Sequence, residues 1–161
     1  MEMEYGDFIL NLFQKDRCER LIRKQLNTLP ETATIREAIM SMLDKEIDYV
    51  CILDDQGRFK GLLTEQLIVR WVRNSPLNEE APVATIMSTE LECCMERSEP
   101  ISKLVMTMSK NNFIHMPITD RGKVKGVVSV RDFVSYLADY FAESIYTLIP
   151  DQPDQKKREG A

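Results

Sequence analysis

A single histidine, His115, stands among 161 residues, so a zinc cluster built on histidines is excluded and a Ser-His-Asp triad has one candidate base. No nucleophile elbow accompanies it, and neither a G-x-G-x-x-G loop nor a Walker loop is present. The four cysteines, Cys18, Cys51, Cys93 and Cys94, lack C-x-x-C spacing and match no structural zinc site. They read as reduced thiols, with Cys51 inside an apolar run and Cys93-Cys94 adjacent in sequence. No catalytic residue, metal or catalytic cofactor is therefore predicted, and the expected protein is not an enzyme.

Long hydrophobic runs are also missing. No stretch approaches the roughly 20 apolar residues that span a bilayer. Met1-Glu2-Met3-Glu4 has neither the basic n-region nor the apolar core of a secretory signal, so no membrane partner and a cytoplasmic location are expected. Basic charge is outweighed: 21 Lys and Arg against 26 Asp and Glu leave a net charge of −5. A general nucleic-acid binder neutralises phosphates with Lys and Arg, and this balance argues against one. At 43% apolar and 29% charged residues the chain is that of a folded protein, with room for one domain or two small interdependent ones.

What is present is a repeat, and an internal repeat decides the architecture. Asp54-Asp55-Gln56-Gly57-Arg58-Phe59-Lys60-Gly61-Leu62-Leu63-Thr64 is echoed by Thr119-Asp120-Arg121-Gly122-Lys123-Val124-Lys125-Gly126-Val127-Val128-Ser129. Gly61 recurs as Gly126, 65 positions later, whereas Ile35, Ala38, Ile39 and Met42 recur as Ile101, Leu104, Val105 and Met108, 66 positions later. The register changes by one residue in the turn, where an insertion costs least.

Each copy reads as helix, strand, turn, strand, helix. Thr34-Ile35-Arg36-Glu37 fits a capping box, and Pro100 suits the first turn of the matching helix. Tyr49-Val50-Cys51-Ile52-Leu53 is a short apolar run of buried-strand type, with Ile114-His115-Met116-Pro117-Ile118 as its counterpart. Pro117 cannot donate a ladder bond, which predicts a strand at a sheet edge or one that starts late. Second strands follow at Arg58–Leu63 and Lys123–Val128. The closing helices carry Leu67, Ile68, Trp71 and Val72 in one copy and Phe133, Val134, Leu137 and Tyr140 in the other. The methionines fall largely on apolar faces, where filling core gaps is the default role.

This organisation divides the chain into an amphipathic N-terminal helix (1–19), a first repeat (20–74), a polar linker (75–83), a second repeat (84–148) and a polar tail (149–161). The helix is suggested by Phe8, Ile9, Leu12 and Phe13, and the tail is too polar to pack.

The tandem order resembles the cystathionine β-synthase (CBS) domain pair, or Bateman module. The resemblance rests on Met116-Pro117-Ile118-Thr119-Asp120-Arg121-Gly122 and on Gly126-Val127-Val128-Ser129-Val130-Arg131-Asp132, and covers roughly residues 20 to 141. With almost nothing outside the pair, the chain resembles the stand-alone bacterial CBS-pair proteins. The fold implied is mixed α+β: two β-α-β-β-α repeats packed sheet to sheet, leaving two related clefts. The ligands implied are adenosine-containing molecules such as AMP, ADP, ATP or S-adenosylmethionine. The resemblance further implies a homodimer, and a regulatory role toward a protein the sequence does not identify.

Ser129 and Asp132 also carry a physical argument of their own. A carboxylate opening a helix accepts from both hydroxyls of a ribose, and free N–H groups near the preceding serine favour phosphate. The same tetrapeptide is equally an ordinary N-cap. By the resemblance, the Asp132 cleft uses Ser129, Asp132, Val127 and Val128 from the second repeat. The first repeat completes it with Ile22 and Asn27 ahead of the first helix, and with Asp48 and Tyr49 at the strand. The Tyr49 ring is suited to stacking on adenine and equally to the core. Asp48 repels phosphate, which points to a base- or ribose-facing role.

The first copy keeps Thr64 but has Leu67 at the Asp132 position, and leucine cannot accept from a ribose. Unequal clefts are expected. The second, degenerate cleft is assigned Leu62, Thr64, Ser88, Cys93, Ile114 and His115, with Arg131 reaching across toward its phosphate or simply solvated. A lone histidine is as compatible with a hydrogen-bonded structural role as with a phosphate-facing one. The alternative to a nucleotide sensor is a protein-interaction or dimerisation module whose clefts are vestigial.

Overall fold

The computed structural model describes residues 11–22, 26–74, 76, 78–89 and 94–148, with side chains described up to residue 142. Two three-stranded sheets form, in the orders β1-β2-β3 and β4-β5-β6. The first half comprises β1 (Thr28–Pro30), α2 (Ile35–Lys45), β2 (Tyr49–Leu53), β3 (Phe59–Thr64) and α3 (Glu65–Asn74). The second repeats that order with β4 (Met95–Glu96), α4 (Ile101–Asn111), β5 (His115–Asp120), β6 (Lys123–Ser129) and α5 (Val130–Leu148). A helical segment, α1, covers residues 11–15. The mixed α+β architecture of two β-α-β-β-α units is the one expected.

Local chemistry accounts for these elements. The capping box at α2 is formed: Thr34 Oγ1 accepts from Glu37 N at 3.2 Å, and Glu37 Oε2 accepts from Thr34 N at 2.7 Å. Pro100 sits one residue outside α4, as its N-cap. The apolar spacing expects a stripe of Ile35, Ala38, Ile39, Met42 and Leu43 in α2. Ile35, Ala38 and Met42 are buried, Ile39 is partly buried and Leu43 is exposed, while α4 buries Ile101, Leu104 and Met108 with Val105 partly buried. The closing helices depart from the expected stripe at Val72 and Val134, which are exposed. Trp71 packs inward as expected, and so does its equivalent in the second half, Tyr136, which the expected stripe lacked.

The one-residue difference between the turns is absorbed by turn type. Arg121 and Gly122 both have positive φ, as a two-residue type I′ hairpin requires. The longer first turn needs it only at Gly57. Asp54 holds that turn, accepting from Gln56 N and Arg58 N at 2.9 and 2.8 Å and from Arg58 Nε at 2.8 Å.

Pro117 corrects the expectation drawn from it. It lies inside β5, the central strand of its sheet, paired with Val127 of β6. Thr119 O accepts from Arg97 on the β4 side, and the two-residue period turns the Pro117 nitrogen the same way. Among the described residues the β4 ladder opens at Met95, opposite Ile118, so no described β4 pair includes Pro117.

The halves exchange their lead-in segments. A 3-10 turn, Cys18–Leu21, precedes the first half yet buries Cys18 and Leu21 in the second half's core, against Met95, Ile101 and Leu104. Reciprocally, Val83 and Ile86 precede the second half and complete the first half's core beside Ile35 and Leu63. Two glycines admit the crossings. A Cβ on Gly61 would lie 2.7 Å from Ser88 O and 2.8 Å from Met87 Sδ, and one on Gly126 would lie 2.4 Å from Ile22 Cγ2. Between the sheets, Tyr49, Cys51 and Leu62 meet Val124 and Val127 in a third buried cluster.

Candidate functional site

The exchange brings the start of each closing helix to the β2 or β5 end of the opposite half, which creates two crevices. The first has a volume of about 380 Å³. Its walls are Val127, Ser129, Arg131 and Asp132 from the second half and Glu46, Ile47, Asp48 and Tyr49 from the first, with Ile114 and His115 between. Ser129 and Asp132 form a reciprocal cap at the start of α5. Asp132 Oδ2 accepts from Ser129 N at 2.8 Å and from Ser129 Oγ at 2.7 Å, while Asp132 N donates to Ser129 Oγ at 3.2 Å. The capping reading of this tetrapeptide is thus realised, in a position that also borders the crevice.

Tyr49 and His115, equivalent residues of the two repeats, meet with ring centroids 5.7 Å apart. His115 Nε2 is buried without a hydrogen-bond partner among the described residues, and lies 3.1 Å from Asp48 Oδ2. Burial raises the Tyr49 phenol well above its ordinary pKa, helped by Cys51 and by the Asp132 and Asp48 charges, so the ring is neutral. Burial also pushes the Cys51 thiol up to about 12. Cys94 is raised too, by burial and the Glu96 charge, which works against a thiolate there.

The second crevice, about 370 Å³, is the counterpart around Leu67. Leu62, Thr64, Gln66, Leu67 and Arg70 form one wall, and Asn111, Asn112, Phe113, Ile114 and His115 the other, with Ser88 at the side. Thr64 Oγ1 accepts from Leu67 N at 3.3 Å, but leucine has no carboxylate to return the bond.

Of the residues assigned to the first crevice, Val127, Ser129, Asp132, Asp48 and Tyr49 are brought together. Val128 is placed differently, because strand alternation sends its side chain into the second half's core. Asn27 is fully buried as a structural clamp. Its Nδ2 donates to Tyr49 O at 3.1 Å, and its Oδ1 accepts from Ser41 Oγ and Lys45 Nζ at 2.7 Å each. Ile22 lies over Gly126 and against the second half's core. Of those assigned to the second crevice, Leu62, Thr64, Ser88, Ile114 and His115 assemble there. Arg131, assigned to reach this crevice or to be solvated, is exposed and borders the Asp132 crevice instead of the Leu67 one. Cys93 lies outside the described residues. Sequence reasoning missed Arg70, Asn111 and Asn112; Arg70 was legible in principle, as it lies one helical turn beyond Leu67.

No helix among the described residues is long and apolar enough to cross a membrane, and no group of three or more His, Cys, Asp or Glu side chains among them is arranged to hold a metal.

The sequence matches the CBS domain twice, over residues 18–74 and 83–139. An uncharacterised 17.7 kDa protein of Acidianus ambivalens is 32% identical over 107 residues, which is 66% of this chain and 63% of that protein. The chain spans 43% of a Methanocaldococcus jannaschii protein, 22% of an Arabidopsis thaliana CBS domain-containing protein and 91% of a Bacillus subtilis CBS domain-containing protein. Among solved structures, the fold resembles a CBS domain protein from Pyrobaculum aerophilum complexed with AMP. The TM-score is 0.70 at 22% identity, over 81% of this chain and 99% of that one. It also resembles the CBS domain pair of protein MJ0100 in complex with 5′-methylthioadenosine and S-adenosylmethionine. There the TM-score is 0.68 at 21% identity, over 78% and 98% of the two chains.

Proposed function

The chain belongs to the CBS-domain family, and from that premise we propose that it is a non-catalytic regulatory module that binds an adenosine-containing ligand in the Asp132 crevice. The observation that carries this reading is the meeting of Ser129 and Asp132 from one half with Asp48 and Tyr49 from the other, around about 380 Å³ of space. That volume lies within the range of small-molecule sites. Asp132 supplies a charged acceptor for a ribose diol, and Tyr49 a neutral aromatic edge for the base. Because the walls come from both halves, a ligand there bears on how the halves sit against each other. A regulated protein would read that difference, provided the ligand favours one arrangement over another. Solved structures of similar fold that hold AMP or S-adenosylmethionine support the ligand class.

The test is thermal unfolding with and without adenosine, AMP, ATP and S-adenosylmethionine. A ligand that binds only the folded state raises the midpoint, and the rise should shrink in Asp132→Ala. No shift at millimolar ligand would contradict the proposal.

The exposed apolar side chains of the helices favour a second reading, self-assembly. Leu43 of α2, Val69 of α3, Met106 of α4 and Val134 of α5 are all more than half exposed. Homodimerisation through these faces in the cytoplasm is compatible with ligand binding or, if the crevices are vestigial, replaces it. Sedimentation of Met106→Glu and Val134→Glu variants tests it: a homodimer becomes a monomer.

A further inference from the structure

The charge of the Asp132 crevice selects among adenosine-containing ligands. Three carboxylates line it, Glu46, Asp48 and Asp132, against one guanidinium, Arg131. Asp48 and Asp132 come from different halves and both act on the Tyr49 phenol, so they bear on one volume. The opening of α5 does not offset them. Asp132 already caps that terminus, and Ser129 N and Asp132 N are engaged within the cap. Val130 N donates to Ile114 O at 3.1 Å. Three of the N–H groups that would otherwise greet a phosphate, those of Ser129, Val130 and Asp132, are therefore satisfied by the protein. His115 Nε2, buried in the same wall, lies 3.1 Å from Asp48 Oδ2.

A phosphate monoester carries about −1.5 to −2 charge at pH 7 and would enter a volume already negative. We infer that the Asp132 crevice takes a nucleoside whose 5′ substituent is neutral or positively charged, an alcohol, thioether or sulfonium, and discriminates against 5′-phosphates. Asp48 and Glu46 are the residues that set this preference, whereas Asp132 serves the ribose. The inference rests on the proposed adenosine site.

Calorimetric titration of the full chain with adenosine, AMP and S-adenosylmethionine tests it. Adenosine and AMP differ only in the phosphate, so their ratio reads the crevice charge directly. At low ionic strength adenosine and S-adenosylmethionine should bind about tenfold or more tightly than AMP, a gap that shrinks as salt screens the carboxylates. The isosteric double variant Glu46→Gln with Asp48→Asn should narrow it to about threefold or less. The salt series needs no variant and stands even if the double substitution unfolds the chain. If AMP binds as tightly as adenosine or more so, the charge inference falls while the adenosine site stands. A gap that persists unchanged in the folded double variant overturns the role of these two carboxylates. If none of the three binds, the adenosine site and the inference resting on it both fall.

Discussion

The two crevices share one plan and differ at the charged positions. Thr64 matches Ser129, Leu62 matches Val127, and the Tyr49–His115 ring contact lies between them. Every carboxylate of the Asp132 crevice has an uncharged counterpart in the Leu67 crevice. Asp132 is matched by Leu67, Asp48 by Ile114 and Glu46 by Asn112, while Arg131 gives way to Gln66 and Arg70 enters from the next turn. The scaffold residues that make a crevice are thus separable from those that set its ligand. Duplication keeps the former, because the exchanged lead-ins and both cores depend on them, and leaves the latter to diverge.

The largest expected effect tests the shared scaffold. Gly61→Ala drives a Cβ into the Ser88 carbonyl, which is backbone and cannot step aside, and should cost about 3 kcal/mol. Gly126→Ala meets Cγ2 of Ile22 at 2.4 Å, a side chain branched at Cβ that yields only by moving as a whole, and should cost about 2 kcal/mol. Urea denaturation of both measures the difference, and equal costs would mean that the two crossings are held alike.

The next effect tests the divergence. Asp132→Ala should weaken adenosine binding about thirtyfold, the scale of a lost charge-assisted hydrogen bond. Leu67→Asp should give the first half a capping carboxylate opposite Thr64, whose Oγ1 already accepts from the residue 67 N–H. A second, weaker adenosine site detected by titration would show that this position limits the Leu67 crevice.

The smallest effect distinguishes the two turns. The hydrogen bond from the Arg58 backbone, opposed by burial and assisted by the Arg58 side chain and Gln56 N, holds the Asp54 carboxyl below its ordinary range. Because the folded value is the lower one, the stabilisation is fully present above the unfolded value of about 3.9 and is lost as pH falls through the folded value. Asp54→Asn should therefore flatten the acid side of the melting-temperature profile below about pH 4, leaving neutral pH behaviour otherwise parallel. A profile with unchanged slope would show that the clamp does not differ between folded and unfolded chains.

Much of this was legible in the sequence because it is local. The repeat, the Thr34-Glu37 capping box, the helix stripes and the turn that absorbs one residue all follow from spacing. Pro117 was misread because a residue's place in a sheet depends on its neighbour's length, and the two-residue β4 carries no periodicity of its own. Val128 follows from strand alternation once the inward face is known, and Asn27 is fixed by Tyr49, Ser41 and Lys45, partners no spacing rule connects to it. The exchange of lead-ins is nonlocal as well. Its signal was present in Gly61 and Gly126, since a glycine inside a strand marks a close approach by another segment. The charge contrast needed both walls of each crevice in view, because Glu46 and Asp48 are far in sequence from Asp132.

The most direct measurement is a crystal structure of the chain soaked with adenosine. The account predicts ligand density in the Asp132 crevice, both ribose hydroxyls within hydrogen-bond distance of the Asp132 carboxylate and the base toward Tyr49. Ligand confined to the Leu67 crevice, or bound with its ribose away from Asp132, would contradict it.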